Sequence, residues 1–429
     1  MTTQLSFSSL RLDARGLCCL VLLLLPIHAS MAQGEDWPGV LGPNRNGTTI
    51  QLPMQPGKWQ LETQPKWEID LGSGYSGPAI VGGVVYAAHR QGDSEMLTAI
   101  DLLTGKKVWQ TSWEASYTRG YDPDLGPRCV PCVGQGRVLC YGAGGDLICL
   151  DARNGAELWQ RALRKEYKAS DGYFGAGSSP LLIKDTVIVC VGGSKGGVVA
   201  LDLKTGKTKW TATDYEASYA SPIAFTVDSK TLLLVVTRLQ TVLIDAASGD
   251  VLSEVDFGSR GPTVNAATPI ALDDLNRKFL LTASYNIGTL VLSIEGMQLK
   301  EEYRERRNLM ASQYNTPVRV GDIVFGTDGR EDAGNGKLRA IDPSTREVFW
   351  EVPDFGTSHL IGFEKQLLAL DLEGRLVLLA ASSKEFEALA ETRLPDSLYR
   401  SLPALSGRYL VVRANDRSSS SRLMMFELP

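Results

Sequence analysis

From about residue 65 onward the chain is written in short apolar runs, each broken by a glycine or a pair of polar residues. The stretch SSPLLIKDTVIVCVGG from Ser178 shows the beat: a proline after small or polar residues, an apolar run, a polar turn, then a β-branched run. Runs of this length and composition predict strands joined by hairpins. No segment of comparable length keeps a helical period, apart from a turn near Glu301 to Arg307.

Each such pair of runs leads into a second pattern. VVALDLKTGKTKW, from Val198 to Trp210, recurs as LTAIDLLTGKKVW from Leu97, LICLDARNGAELW from Leu147 and LRAIDPSTREVFW from Leu338. TVLIDAASGDVLS from Thr241 is a weaker copy, and a degenerate one surrounds Ser293. The interval, about 40 to 50 residues, is that of a propeller blade, and two strands before the motif plus two within it make the four a blade needs. First strands fall at Gly77, Val130, Ser179, Ser221, Thr268, Thr316, near Leu360 and at Leu402, which makes eight blades. The last unit ends after three strands, while PKWEID from Pro65 is a strand without a unit. The expected fold is therefore all-β: an eight-bladed β-propeller of four-stranded antiparallel blades, its last blade closed by the N-terminal strand Pro65–Asp70. Closure of this kind leaves no free edge between the first and last blades.

The motif itself reads as turn-making. Asp101, Asp151, Asp202, Asp245 and Asp342 can accept backbone N–H bonds, and Gly105, Gly155, Gly206 and Gly249 can take positive φ. The tryptophans that come after them, Trp109, Trp159, Trp210 and Trp350, with Trp67 as the matching residue of the orphan strand, can each cover a neighbouring blade with on the order of 200 Å² of apolar area.

These residues carry a resemblance. AIDLLTGKKVW and ALDLKTGKTKW resemble the tryptophan-docking repeat of the pyrroloquinoline quinone (PQQ)-like β-propellers, over roughly Pro65 to Pro429, and DWPGVLGPNRNGT from Asp36 is similar to the lead-in of secreted bacterial PQQ-like repeat proteins. The superfamily includes quinoprotein alcohol dehydrogenases and the scaffold lipoprotein of the outer-membrane β-barrel assembly machinery, so the resemblance implies the fold and leaves function open. An enzyme of this kind would use adjacent cysteines in a disulfide over the quinone, carboxylate and amide ligands for calcium, and an aspartate as general base. The adjacent cysteines here are Cys18 and Cys19, near the N-terminus, and the acidic stretches YDPD at Tyr121 and DGRED at Asp328 read as solvated loops rather than calcium ligands. Expected cofactors are none; PQQ and calcium are what the resemblance allows, not what these residues supply.

Charge and leader narrow the setting. Forty-four basic residues against 49 acidic ones give a net charge of −5, no footprint for nucleic acid. Arg11 and Arg15 precede the apolar run Gly16 to Ile27, and Ser30-Met31-Ala32 offers a small-residue cleavage site before Gln33. The expected organisation is a signal peptide over 1–32, a lead-in over 33–64 and the propeller over 65–429. That places the mature chain in the periplasm or outside the cell, as a monomer without a transmembrane segment; Cys18 and Cys19 start the apolar run and do not form a lipidation site. Of the remaining Cys129, Cys132, Cys140, Cys149 and Cys190 at least one must stay unpaired or bond another chain, and Cys129-Val-Pro-Cys132 lacks the following helix that would activate a redox pair. With only His89 and His359 after the leader, an imidazole-rich metal site is not expected.

Other catalytic strings fail by context. GSGYSG at Gly72 leads into a strand rather than a helix that could receive phosphate, and GGSKG around Ser194 joins two strands of one blade. The default ligand site of a propeller is the mouth of its channel, where loops enter the inner strands. Counting back from each strand-leading proline places Tyr75, Arg128, Tyr219, Tyr314 and Arg400 there, with Asn315 and a serine series from Ser76 to Ser401, and His359 in the blade without that proline. Such a ring can plug the channel or hold an acidic ligand through Arg128 and Arg400. No catalytic or metal-binding residues are expected. The reading is a binding scaffold for a protein or envelope polymer, with a PQQ-dependent oxidoreductase as the alternative.

Overall fold

The middle strands of each repeat are apolar because they are walled on both sides. In Thr186–Gly193 every residue after the first is buried, as is Gly196–Leu201 in the next strand, since both lie between neighbouring blades and have no solvent face. Outer strands alternate: Lys107–Glu114 buries Trp109 and Trp113 and turns Gln110 and Ser112 outward.

The computed structural model describes Met1 and residues 35–50, 63–416 and 420–429. The expected leader therefore lies, Met1 aside, outside the described residues, and the propeller belongs to the unit Gln33–Pro429. Its strands form eight four-stranded antiparallel sheets. In chain order blades 1 to 7 occupy 79–114, 132–162, 181–212, 223–256, 270–305, 318–352 and 358–393. Blade 8 takes three strands from 404–427 and its fourth from Trp67–Leu71, in register from Trp67 against Met425 to Leu71 against Ser421. This is the closed eight-bladed propeller the repeats predict, with the closing strand shifted one or two residues from Pro65–Asp70. The turn anticipated near Glu301 to Arg307 is not helical. Gln298–Glu305 is the outer strand of blade 5, paired along Gly288–Glu295, because the pairing decides over a locally charged sequence; the one helix among the described residues is the single turn Leu163–Tyr167.

The repeated motif builds one device around the ring. In blade 3 the Asp202 carboxylate accepts the Thr205 N–H and hydroxyl at 2.8 and 2.6 Å, and Gly206 turns the chain at φ +67°. One extra residue in the outer strand then shifts the register, so that Ala200 faces Trp210 while Leu201 faces Thr208. Seven of the eight blades carry this bulge at the same place, and it aims the following side chain at the next blade. The bulged residue is left outside, which accounts for exposed Val108 and Leu158. Each indole N–H donates to a carbonyl of the next blade's turn: Trp67 to Leu102, Trp109 to Ala152, Trp159 to Leu203, Trp210 to Ala246 and Trp350 to Ser382, all at 2.7 to 3.2 Å. For the first four of these, the glycine of that turn lies under the ring: a Cβ on Gly206 would stand 2.8 Å from Trp159, and one on Gly105 2.6 Å from Trp67; Trp350 meets Phe386 instead. Trp67 thus closes the circle by the same contact that joins consecutive blades.

The lead-in folds into the ring. Trp37 bridges Ile80 of blade 1, the Val133 N–H of blade 2 donates to the Pro38 carbonyl, and the Thr49 N–H reaches Gly362 of blade 7. Between them Arg45 donates to the carbonyls of Ser179 and Pro180 before blade 3 and of Pro222 before blade 4 at 3.0 to 3.2 Å. The segment crosses the channel at the end away from the mouth, and burial pulls the Arg45 guanidinium down to about 10.

Candidate functional site at the channel mouth

The mouth is built by the loops that carry each outer strand to the next inner strand. Just inside it, hydroxyls link the blades in series: the N–H of Val130 donates to Ser179 Oγ, that of Ser179 to Ser221 Oγ, that of Ser221 to Thr268 Oγ1 and that of Thr268 to Thr316 Oγ1, at 2.9 to 3.2 Å. The serine series read from the sequence is in this region a ring of inter-blade bonds.

Above that ring, five of the anticipated residues converge. Arg128 and Arg400 flank the Tyr75 ring, 5.7 and 4.9 Å from its centroid. Arg400 is gripped by Glu331 and faces Asp122 at 3.6 Å. Tyr314 donates to the second oxygen of Glu331 at 2.9 Å and lies against His359, whose Nε2 bonds the Arg400 carbonyl at 2.8 Å. Arg128 donates to the carbonyls of Asp124 and Gly126 in its own loop. The acidic stretches at Tyr121 and Asp328, expected as separate solvated loops, thus meet across Arg400, joining blades 1, 6 and 8. Asn315 is buried beside Thr316. Tyr219 stands apart: its ring covers Gly177, and its hydroxyl accepts the Phe174 N–H at 2.9 Å.

The electrostatics favour holding over reacting. Burial and the Glu331 carboxylate push Tyr314 well above an ordinary phenol, and burial raises Tyr75 and Tyr117. Burial works against the charge of Arg400, yet Glu331 more than offsets it, so its proton is held more tightly than usual. Burial lowers His359 against the opposing pull of the Arg400 carbonyl and Glu331. With Nε2–H donating to that carbonyl, the imidazole presents Nδ1 as an acceptor, and that atom is buried without a partner. All these shifts run away from neutrality, the opposite of tuning for proton transfer. Cys129, Cys132, Cys140, Cys149 and Cys190 are free, buried thiols; burial pushes Cys129 and Cys132 above an ordinary thiol, which disfavours the thiolate that a redox C-x-x-C pair needs.

The same geometry bears on the calcium of the resemblance, because the carboxylates at the mouth already have partners. Among the described residues no three His, Cys, Asp or Glu side chains gather to hold a metal ion. Glu331 and Asp122 serve Arg400, and Asp124 accepts the N–H groups of Gly74 and Gly126, both at 2.8 Å.

Sequence reasoning missed Glu331, Asp122 and Arg45 as partners, because each acts across more than 60 residues of chain and carries no local pattern.

Comparison with known proteins places the chain. The family model for the outer membrane protein assembly factor BamB (PQQ_2) matches residues 92–352. The chain belongs to this family. A BamB of Burkholderia pseudomallei is 26% identical over 288 residues, 57% of this chain and 72% of that one. A quinohemoprotein alcohol dehydrogenase of Comamonas testosteroni is 30% identical over 193 residues, but these are 43% of this chain and only 26% of the enzyme. Among solved structures, a europium-containing methanol dehydrogenase superposes with TM-score 0.70 at 12% identity over 92% of this chain and 98% of its own. BamB from Moraxella catarrhalis superposes with TM-score 0.57 at 16% identity, over 85% and 97%. At these identities the superpositions establish the propeller, which BamB-type proteins and quinone enzymes share. No helix among the described residues is long and apolar enough to cross a membrane.

Proposed function

We propose that this BamB-family chain is an extracytoplasmic binding scaffold, delivered to the periplasm or beyond by the leader 1–32, which holds a protein or envelope polymer on its mouth loops as a monomer. The observation that carries the reading is Arg400 clasped between Glu331 and Asp122: the mouth spends its charge tying blades together. Arg45 supports it by occupying the far end of the channel. The relatives named for outer-membrane assembly agree with it.

The test is a pull-down of the mature chain from its own envelope extract, with dye reduction measured in parallel after adding PQQ and Ca²⁺. A specific protein or polymer partner and no dye reduction is the expected result; quinone-dependent reduction without a partner overturns it. That second outcome is the oxidoreductase reading, favoured by the 30% identity to the quinohemoprotein over 193 residues. Tyr75, Arg128, Tyr219, Tyr314, Asn315, His359 and Arg400 are the residues we assign to ligand contact at the mouth. Arg128→Ala with Arg400→Ala is expected to abolish retention of an acidic ligand in native mass spectrometry, and unchanged retention would sink that assignment.

A further inference from the structure

The mouth is uneven. Over blades 2 to 4 it carries an aromatic cluster outside the ionic network: Tyr121, 83% exposed, meets Phe174 edge-on at 6.0 Å, and Phe174 meets Tyr219 at 5.8 Å. Two loops are tied together here by the Tyr121 N–H donating to the Tyr173 carbonyl at 3.0 Å. Arg238 covers the Tyr173 ring at 5.7 Å, and beside it a recess of about 60 Å³ opens between Tyr173 and Tyr219. An exposed tyrosine backed by other rings and by arginine has the composition of an interface anchor.

The charge around the cluster says what it would accept. Inside the recess the ions are matched, Arg164 with Asp171 at 3.0 Å and Arg238 with Glu216 at 2.9 Å. Around it Arg119, Lys165, Lys168, Lys195 and Arg260 are exposed and form no ion pair among the described residues. The exposed carboxylates without an ion pair are Asp214 in these loops and Glu114, Glu254 and Asp256 on adjoining strands, Glu254 accepting the Tyr215 hydroxyl, so the exposed cations still outnumber them. This rim is positive on a chain whose net charge is −5. A recess of this volume is far below the ~300 Å³ at which small-ligand sites begin and admits one side chain. The rings stand edge to face, with interplanar angles of 86° and 64°, so they form no flat platform on which sugar rings could stack.

We infer that this surface binds an acidic, extended segment of a partner protein, with one aromatic or large aliphatic side chain in the recess and carboxylates on the lysines and arginines of the rim. The inference rests on the scaffold reading and adds its surface and the chemistry of its partner.

The test titrates the mature chain, by fluorescence anisotropy at low salt, into a labelled peptide of Asp, Glu, Gly and Ser with one central Phe. Comparison probes are the same peptide with Phe replaced by Ser, the same peptide with every acid replaced by Lys, alginate, and phosphatidylglycerol vesicles. Binding is expected to weaken about tenfold on loss of the Phe or with Tyr121→Ala, and further with Lys165→Glu/Lys195→Glu, and to fall with added salt. Equal binding of the lysine peptide, undiminished binding by the variants, or tighter binding to alginate or vesicles overturns it. The envelope pull-down separates the two claims: a partner retained in full by Lys165→Glu/Lys195→Glu removes this surface and leaves the scaffold, whereas a wild-type chain that captures nothing removes the scaffold.

Discussion

The outer belt and the channel solve the same problem, joining eight blades, in opposite ways. On the belt one contact is repeated: an indole laid on the glycine of the next turn and hydrogen-bonded to its carbonyl. Along the channel, beyond the serial hydroxyl bonds inside the mouth, the joints are singular, such as Arg45 reaching two blades from the lead-in, or Arg413 sewing blade 8 to blade 1. The belt buries apolar area and tolerates weak copies, as in blade 4, where Ser253 replaces the tryptophan and accepts the Leu299 N–H instead. The channel depends on buried polar groups, where a missing partner costs more than a missing methyl group.

Arg413 is where breaking the channel side should cost most. Its side chain is 1% exposed and donates to the carbonyls of Gly72, Ser76 and Ala88 and to Ser421 Oγ at 2.8 to 3.1 Å, with no carboxylate in contact. Arg413→Leu is expected to lower stability by about 3 to 5 kcal/mol in denaturant titration, because three buried carbonyls lose their donor together. A loss under about 1 kcal/mol would mean that the closing strand and Trp67 hold the ring unaided.

The same seam should be sensitive to pH. His89 accepts the Gly72 N–H on Nδ1 at 3.1 Å and meets Thr98 at 2.9 Å; burial, and then the Arg413 charge, pull it from 6.5 to about 4. The unfolded chain therefore binds the proton first, so the stability this group contributes is complete above about pH 6.5 and is lost as pH falls toward 4. The shift corresponds to about 3 kcal/mol. Denaturation midpoints between pH 7 and pH 4 should fall for the wild type, with a flatter profile for His89→Gln measured against its own value at pH 7.

On the belt, two glycines of similar φ sharpen the contrast. Gly206 at φ +67° lies under Trp159, whereas Gly296 at φ +55°, in the corresponding turn of blade 5, has nothing within 4 Å of a new Cβ. Gly296→Ala should cost only the left-handed strain, about 1 kcal/mol. Gly206→Ala should cost about 2 kcal/mol more by displacing the indole. Equal costs in thermal denaturation would show that the docking contact contributes nothing.

That contrast also explains what could be read in advance. Asp202, Gly206 and Trp210 each do their work within one hairpin or against the next copy of it, so periodicity exposed the blades, their number and the closing strand at Trp67. Tyr75, Arg128, Tyr314, His359 and Arg400 could be placed at the mouth by their offset from each inner strand. Their partners could not, because Glu331 and Asp122 reach Arg400 from blades far away in sequence, and nothing local distinguishes a carboxylate that meets an arginine from one that meets water. Arg45 was hidden for the same reason, in a lead-in with no repeat at all.

Arg45 supplies a small effect and the most direct check of the channel. Its guanidinium donates to three backbone carbonyls and meets no carboxylate, and its charge is felt by the buried Cys132 and Cys190 thiols. On substitution the carbonyls can be rehydrated from the channel, so Arg45→Ala should cost only about 1 to 2 kcal/mol, less than three charged hydrogen bonds would suggest. The same change removes the side chain that fills the space beside those thiols. Reaction of the folded chain with a small water-soluble thiol reagent should therefore be absent in the wild type and rise in Arg45→Ala, with the gain removed by Cys132→Ala/Cys190→Ala. If reactivity stays at the wild-type level while stability falls, Arg45 holds the blades without sealing the channel, and the far end is closed by Trp37 and Leu41 instead.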